Sequence, residues 1–299
     1  ALRDIKRGFK ICALIEKKGL LETNLHVGNA MIDMYVKCGF LEKAREVFYR
    51  LPIRNVISWT TLISGYVQHE YVEEALQCFH LMRLHGVPPD VVTYSCILQA
   101  CSIVRDVGMG EEMLSEIEHK HMFKEDRIVG VAVIDMYTKC GSLEKAHEIF
   151  EMLPVQSLVA WTTLIVGYVQ YRCAEQGLNC FEQMKIQRIS PDAITFAYAL
   201  KACGDIGALH KGMELHDDIG HKGLIENHIV GNALIDMYAK HGMLTIARGI
   251  FDNLVVRDMI TWNSLLTGYS QLGEIENVVD ILIKMNEKCI KPESIAFTS

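Results

Sequence analysis

No stretch of this chain approaches the roughly 18 consecutive apolar residues of a membrane-spanning helix, and no charged start leads into an apolar run of the signal-peptide kind. Gly-rich phosphate loops and a GxSxG nucleophile elbow are missing as well. So is an HxE followed by PCxxC, the ligand and proton-transfer set of a zinc deaminase. These gaps leave no candidate catalytic residue, no cofactor and no metal site, and the chain is not expected to be an enzyme. His119 and His121 stand two apart with no second pair at ligand spacing, and His210, His216 and His221 crowd one helix face. Such isolated histidines usually fill surface or core. Of the ten cysteines none form a CxxC pair. Cys78, Cys101, Cys180 and Cys203 sit inside apolar patterns, which points to buried thiols in a reducing compartment. A basic excess is absent too: the formal charge is −7. Phosphate contacts usually demand a basic surface, so any basic character must be local.

What is present is self-similarity. Half of the residues are hydrophobic and 22% charged, a balance that supports a packed core. NAMIDMYVKCGFLEKAREVF from Asn29 recurs as VAVIDMYTKCGSLEKAHEIF from Val131 and as NALIDMYAKHGMLTIARGIF from Asn232, at spacings of 102 and 101 residues. With it recur VISWTTLISGYVQ from Val56, LVAWTTLIVGYVQ from Leu158 and MITWNSLLTGYSQ from Met259. VVTYSCILQACS from Val91 returns as AITFAYALKACG from Ala193. A superperiod near 101 residues therefore contains three related units of about 31, 35 and 36 residues, the length range of helical solenoids.

Each unit reads as two helices. From Leu25, apolar Met31, Ile32, Met34 and Tyr35 fall at helical spacing, and Gly39 closes the segment as a C-cap. A second helix carries Leu41, Ala44, Val47, Phe48 and Leu51 on one face before Pro52 stops it. Small residues precede an aromatic by one turn in Ala44 with Phe48, Ala75 with Phe79, Ala146 with Phe150, Gly177 with Phe181 and Ala247 with Phe251. Small side chains let helices approach, and the aromatic fills the space between units, so all ten are expected in the core.

The SWTTLI and TWNSLL starts, the IDMYxKCGxLEKA block and the endings at Pro89, Asp90, Pro191 and Asp192 resemble pentatricopeptide repeats over essentially the whole chain. The alternation of three lengths resembles the PLS subclass of land plants. That resemblance implies an all-α fold, a right-handed α-solenoid superhelix of helix-turn-helix repeats. P-type units would span 56–90, 158–192 and 259–293, L-type units 91–126 and 193–227, and S-type units 25–55, 127–157 and 228–258. Residues 1–24 resemble the tail of an L unit, and 294–299 the start of another. Ala1 is no natural start and both ends lack polar caps, so the chain is expected to be an excerpt of a longer array.

The resemblance further implies single-stranded RNA running parallel to the chain, read at one base per unit by the fifth and last residues. These are Asn29 with Asn55, Thr60 with Asp90, Ser95 with Asp126, Val131 with Ser157, Thr162 with Asp192, Ala197 with Asn227, Asn232 with Asp258, and Asn263 with Glu293. An ionised Asp only accepts hydrogen bonds and suits the ring N–H of guanine and uracil, whereas Asn can also donate to adenine or cytosine. By the family's pairing rules the two Thr–Asp pairs prefer guanine, Asn232 with Asp258 uracil, and Asn29 with Asn55 cytosine or uracil. Val131 and Ala197 cannot hydrogen-bond a base, and Glu293 replaces the usual Asp or Asn. The expected register is C/U, G, any, any, G, any, U, pyrimidine, with Ser95 and Asp126 leaning toward guanine if L units read at all. The plainer reading of Thr60 or Asn232 is a helix-start polar residue facing water.

The second residue of each unit would sandwich the bases: Ile57, Val92, Ile128, Val159, Ile194, Ile229 and Ile260, with His26 breaking the series. Lys37, Lys139 and Lys240, near the end of the first helix in each S unit, would meet phosphates, while P units carry Gln68, Gln170 and Gln271 there. Acidic Glu73, Glu74, Glu144 and Asp252 would lie on second helices, away from the RNA. PLS-type proteins resemble specificity factors for C-to-U editing of chloroplast or mitochondrial transcripts, so an editing deaminase domain or accessory editing factors are the implied partners. Two alternatives stay open: an RNA stability or processing factor that never directs editing, and a helical-repeat scaffold for proteins. Polar residues varying at two defined positions among fixed ones favour nucleic acid over a scaffold.

Overall fold

The computed structural model describes the backbone of residues 2–119 and 127–288, and every regular element among them is a helix. Asp126, His121, Glu293 and the segment 294–299 lie outside the described residues. The chain divides into two compact bodies, residues 1–155 and 156–299. Each is a row of helix pairs, so the architecture is that of an all-α repeat solenoid.

In the first body the first helices Leu25–Lys37, Val56–Gln68, Val91–Val104 and Arg127–Lys139 pack side by side. In the second body the same row is built by Leu158–Gln170, Ala193–Ile206, His228–Lys240 and Met259–Gln271. Second helices back this row, each touching its own first helix and the next one: Leu41–Arg50, Val72–Leu84 and Val107–His119 in the first body, Ala174–Ile186, Leu209–His221 and Leu244–Asn253 in the second. The variation in repeat length is visible in these elements. Second helices in the IDMY-type units, Leu41–Arg50, Leu143–Met152 and Leu244–Asn253, have 10 residues where the other second helices have 13. One turn is missing from each.

Packing follows the small-then-aromatic pattern. Ala44, Ala75, Ala146 and Ala247 are fully buried, as are Phe48 and Phe181. Phe48 meets Trp59 of the next pair edge to face at 4.6 Å between ring centroids, and Phe251 meets Trp262 at 4.7 Å. First helices cross closely enough that a β-carbon on Gly65 would lie 2.5 Å from Val36, and one on Gly268 2.6 Å from Ala239. Gly39 ends its helix in the left-handed region at φ 77°, where a β-carbon is strained. Cys78, Cys101, Cys180 and Cys203 are buried and unbridged, and burial pushes their thiols up to about 11 or 12.

Candidate nucleic-acid interface

Every first helix whose start is described begins on a side-chain cap; of the second helices with a described start only Val107–His119 does, where Asp106 Oδ1 accepts from Met109 N at 3.0 Å. Asn24, Asn55, Asp90, Ser157, Asp192, Asn227 and Asp258 each accept a backbone N–H from the turn that follows. Six of these are the last-of-unit residues singled out in the sequence, so each starts the next unit's first helix as well as ending its own unit. The pattern that shows this, Asn, Asp or Ser directly before an apolar-periodic run, is present in the sequence but was read only for its pairing with the fifth residue.

Fifth residues do not face open water. Asn29, Thr60 and Asn232 are each 8% exposed, and all three have side-chain partners. The Asn29 amide donates to Asn55 Oδ1 at 3.5 Å and its carbonyl accepts from Ser58 Oγ at 2.7 Å. Asn232 Nδ2 donates to the Asp258 carboxylate at 3.1 and 3.2 Å, and its carbonyl accepts from Thr261 Oγ1 at 2.6 Å. Thr60 shares a 2.7 Å hydrogen bond with Thr93 Oγ1, which donates to Asp90 Oδ1 at 2.7 Å. Thr162, Thr195 and Asp192 repeat that chain at 2.8 and 2.6 Å. Ser95 instead donates to its own helix at Val91 O, 2.9 Å away. Val131 and Asn263 are half-buried and Ala197 is buried. Burial alone would raise the pKa of Asp258, but the backbone and hydroxyl of Thr261 and the Asn232 amide outweigh it and hold the carboxyl below its ordinary value.

Second residues stand out of the protein. Ile57, Val92, Ile128, Val159, Ile194, Ile229 and Ile260 are exposed, from 40% at Ile229 to 62% at Ile260, and His26 is exposed with them. Two cavities show how these positions meet. One of about 310 Å³ holds Thr60 and Asp90 between Ile57 and Val92. Another of about 510 Å³ holds Asn232 and Asp258 between Ile229 and Ile260. Both lie within the usual size of small-molecule sites, about 300–1,000 Å³. Each joins an apolar wall to convergent polar atoms, which suits a flat heterocycle with a hydrogen-bonding edge.

The three lysines carry partners that sequence reading missed. Lys37 pairs with Asp33 at 2.7 Å and Lys139 with Asp135 at 2.8 Å, one turn back on the same helices. Lys240 lies between Asp236 at 2.8 Å and Asp205 at 2.7 Å. Burial would lower its pKa, yet hydrogen bonds to Asp205 and Asp236 outweigh that and raise it. The Asp-to-Lys spacing of four in IDMYxK was the available signal. Lys37 borders the first cavity and Lys240 the second, where Tyr198, Lys201 and His228, not foreseen, also contribute. Among the described residues no group of three or more His, Cys, Asp or Glu could hold a metal. His216 hydrogen-bonds Tyr238 at 2.9 Å and burial lowers its pKa, while His210 pairs with Glu214.

Family models match the same rows of helices. The PPR repeat family model covers residues 54–102 and 156–205, and the PPR repeat model covers 29–56, 131–156, 232–259 and 260–290. The chain belongs to the pentatricopeptide repeat family. Among curated relatives, Pentatricopeptide repeat-containing protein At3g24000, mitochondrial, of Arabidopsis thaliana is 36% identical over 94% of this chain and 44% of its own length. Pentatricopeptide repeat-containing protein At1g11290, chloroplastic, of the same plant is 34% identical over 100% of this chain and 37% of its own. This chain thus spans less than half of either relative. Among solved structures, the pentatricopeptide repeat protein PPR10 in complex with an 18-nt psaJ RNA element aligns with a TM-score of 0.74 at 20% identity, over 89% of this chain and 41% of that one. That likeness concerns the fold.

Proposed function

We propose that this array binds single-stranded RNA at one base per unit in the PLS arrangement and selects target sites for C-to-U editing of transcripts in a chloroplast or mitochondrion. The observation that carries the reading is the cavity in which Thr60 and Asp90 sit between Ile57 and Val92: a polar edge for a base, walled by exposed aliphatics that gain nothing from water. The relatives named mitochondrial and chloroplastic support the compartment, and the RNA bound to PPR10 supports the ligand. In this reading the fifth and last residues read the base, the second residues sandwich it, and Lys37, Lys139 and Lys240 exchange their carboxylate partners for phosphates. The editing chemistry belongs to a deaminase domain or accessory factor acting with the array.

Selection from a random single-stranded RNA pool tests this, with Thr60→Asn and Thr162→Asn alongside. The expected enrichment contains two guanines three positions apart, each replaced by uracil in its variant. Enrichment no better than with duplex RNA or a polyanion would overturn RNA reading and favour a protein scaffold.

A further inference from the structure

A third residue joins each reading pair, and it comes from the following unit. Ser58, Thr93, Thr195 and Thr261 are the third residues of their first helices, are completely buried, and hydrogen-bond both the preceding cap and the preceding fifth residue. Residue type follows the slot. At Asn29, Thr60, Thr162 and Asn232 the third residue carries a hydroxyl, whereas Ser95, whose hydroxyl bonds its own helix at Val91 O, is followed by Val129. Where the fifth residue is Val131 or Ala197, the third residue is Ala160 or Val230. A hydroxyl kept only for capping would have no reason to track the fifth residue, because Ser157 and Asn227 cap their helices without one.

Hydrogen counting gives the matching a consequence. A hydroxyl has one proton and two lone pairs, and an ionised carboxylate has no proton to give. Thr93 must therefore donate to Asp90 at 2.7 Å, while it accepts the Asp90 backbone N–H at 3.3 Å. Its remaining lone pair faces Thr60, so the single Thr60 proton points at Thr93. What Thr60 and Asp90 then turn toward the cavity is acceptors only. Of the four bases only guanine presents two adjacent donors on one edge, its ring N–H and its amino group.

We propose that Thr93 and Thr195 are specificity-positioning residues: their hydroxyls fix the proton direction in the Thr60–Asp90 and Thr162–Asp192 pairs and so make those slots accept guanine and reject adenine. In the Asn232 slot the same position does a different task. The single Thr261 proton lies between the Asn232 carbonyl at 2.6 Å and Asp258 Oδ1 at 2.8 Å and ties the two together. The Asn232 amide nitrogen, with two protons, spans Asp258 and the cavity, so that slot offers a donor beside an acceptor. The proposal rests on the RNA reading above. It adds that specificity is set by three residues drawn from two units.

The test is equilibrium binding of the full chain to single-stranded RNAs that differ only at the base facing Thr60. Thr93→Val removes the hydroxyl at nearly constant volume and frees the Thr60 proton to donate to the adenine ring nitrogen. The guanine-over-adenine ratio should fall about tenfold, the order of one hydrogen bond, and Thr93→Ser should restore it to within about twofold. A merely structural role would weaken all four RNAs alike and leave the ratio unchanged, which overturns the proposal while the RNA reading stands. A parent chain with no base preference would instead remove the reading itself. If Thr93→Val lacks a cooperative thermal transition, the converse construction decides. Ala197→Thr with Asn227→Asp should acquire a guanine preference only when Val230→Thr is added, and an equal preference without it overturns the inference.

Discussion

Thr162–Asp192 and Ala197–Asn227 are consecutive slots in the second body, built on the same backbone and opposite in chemistry. Both last residues cap a first helix, Asp192 through Thr195 N and Asn227 through Ile229 N and Val230 N. Only the first slot adds a hydroxyl chain, because Thr162 and Thr195 stand where Ala197 and Val230 stand in the second. On the proposed reading, capping and base recognition are separable duties of one residue. The array keeps the cap at every described first-helix start, and the hydroxyl link to the fifth residue only where three polar positions coincide.

The strongest way to break that comparison is to remove each cap. Asp192→Ala should lower stability by about 1 kcal/mol and abolish the guanine preference at its position, whereas Asn227→Ala should cost about the same stability and leave base preference untouched. Thermal denaturation and base-substituted RNAs read the two effects separately, and a preference change in Asn227→Ala would show that Ala197 does not silence its slot.

Acid sharpens the contrast between a charged and a neutral cap. The folded pKa of Asp258 lies below its ordinary 3.8, so its carboxylate adds stability above that value and loses it as pH falls through the lowered one. Urea unfolding below about pH 4 should show this acid-side loss in the parent and a smaller one in Asp258→Asn. Equal slopes in both proteins would remove the contribution of Asp258.

The smallest expected effect separates two lysines. Lys37, with one exposed carboxylate partner, should be the easier to transfer to a phosphate, so Lys37→Ala should reduce the salt slope of RNA binding by about 0.7. Lys240, clamped by Asp205 and Asp236, should show a smaller change on Lys240→Ala. The reverse order would show that the double clamp opens on binding.

The fold was legible because its determinants are local and repeated: Ala44 and Phe48 lie one turn apart, and Gly39 and Pro52 bracket the second helix they delimit. The interior of the slots was not. Thr60 meets Thr93 across 33 residues and Asn232 meets Thr261 across 29, contacts made only once neighbouring pairs stack. A water-facing Thr60 was the natural reading of a polar residue at a helix start, and stacking buries it instead. Lys240 was legible as a cation, but its second partner Asp205 sits on the preceding first helix and emerges only from packing. The exposure of the second residues was legible only through the family resemblance, because branched apolar residues at a helix start otherwise read as core.

Because each cap belongs at once to the unit it ends and the helix it begins, a cut made at the customary repeat boundary severs a slot in two. Recombination that shuffles whole repeats would deliver a new fifth residue beside an inherited third-residue hydroxyl, and so produce mismatched words at every seam. Duplicating the block of about 101 residues avoids this everywhere but at its two ends. A designer who transplants cassettes between such arrays would do better to place the seam after the third residue of a first helix, so that each donor segment brings its own complete letter.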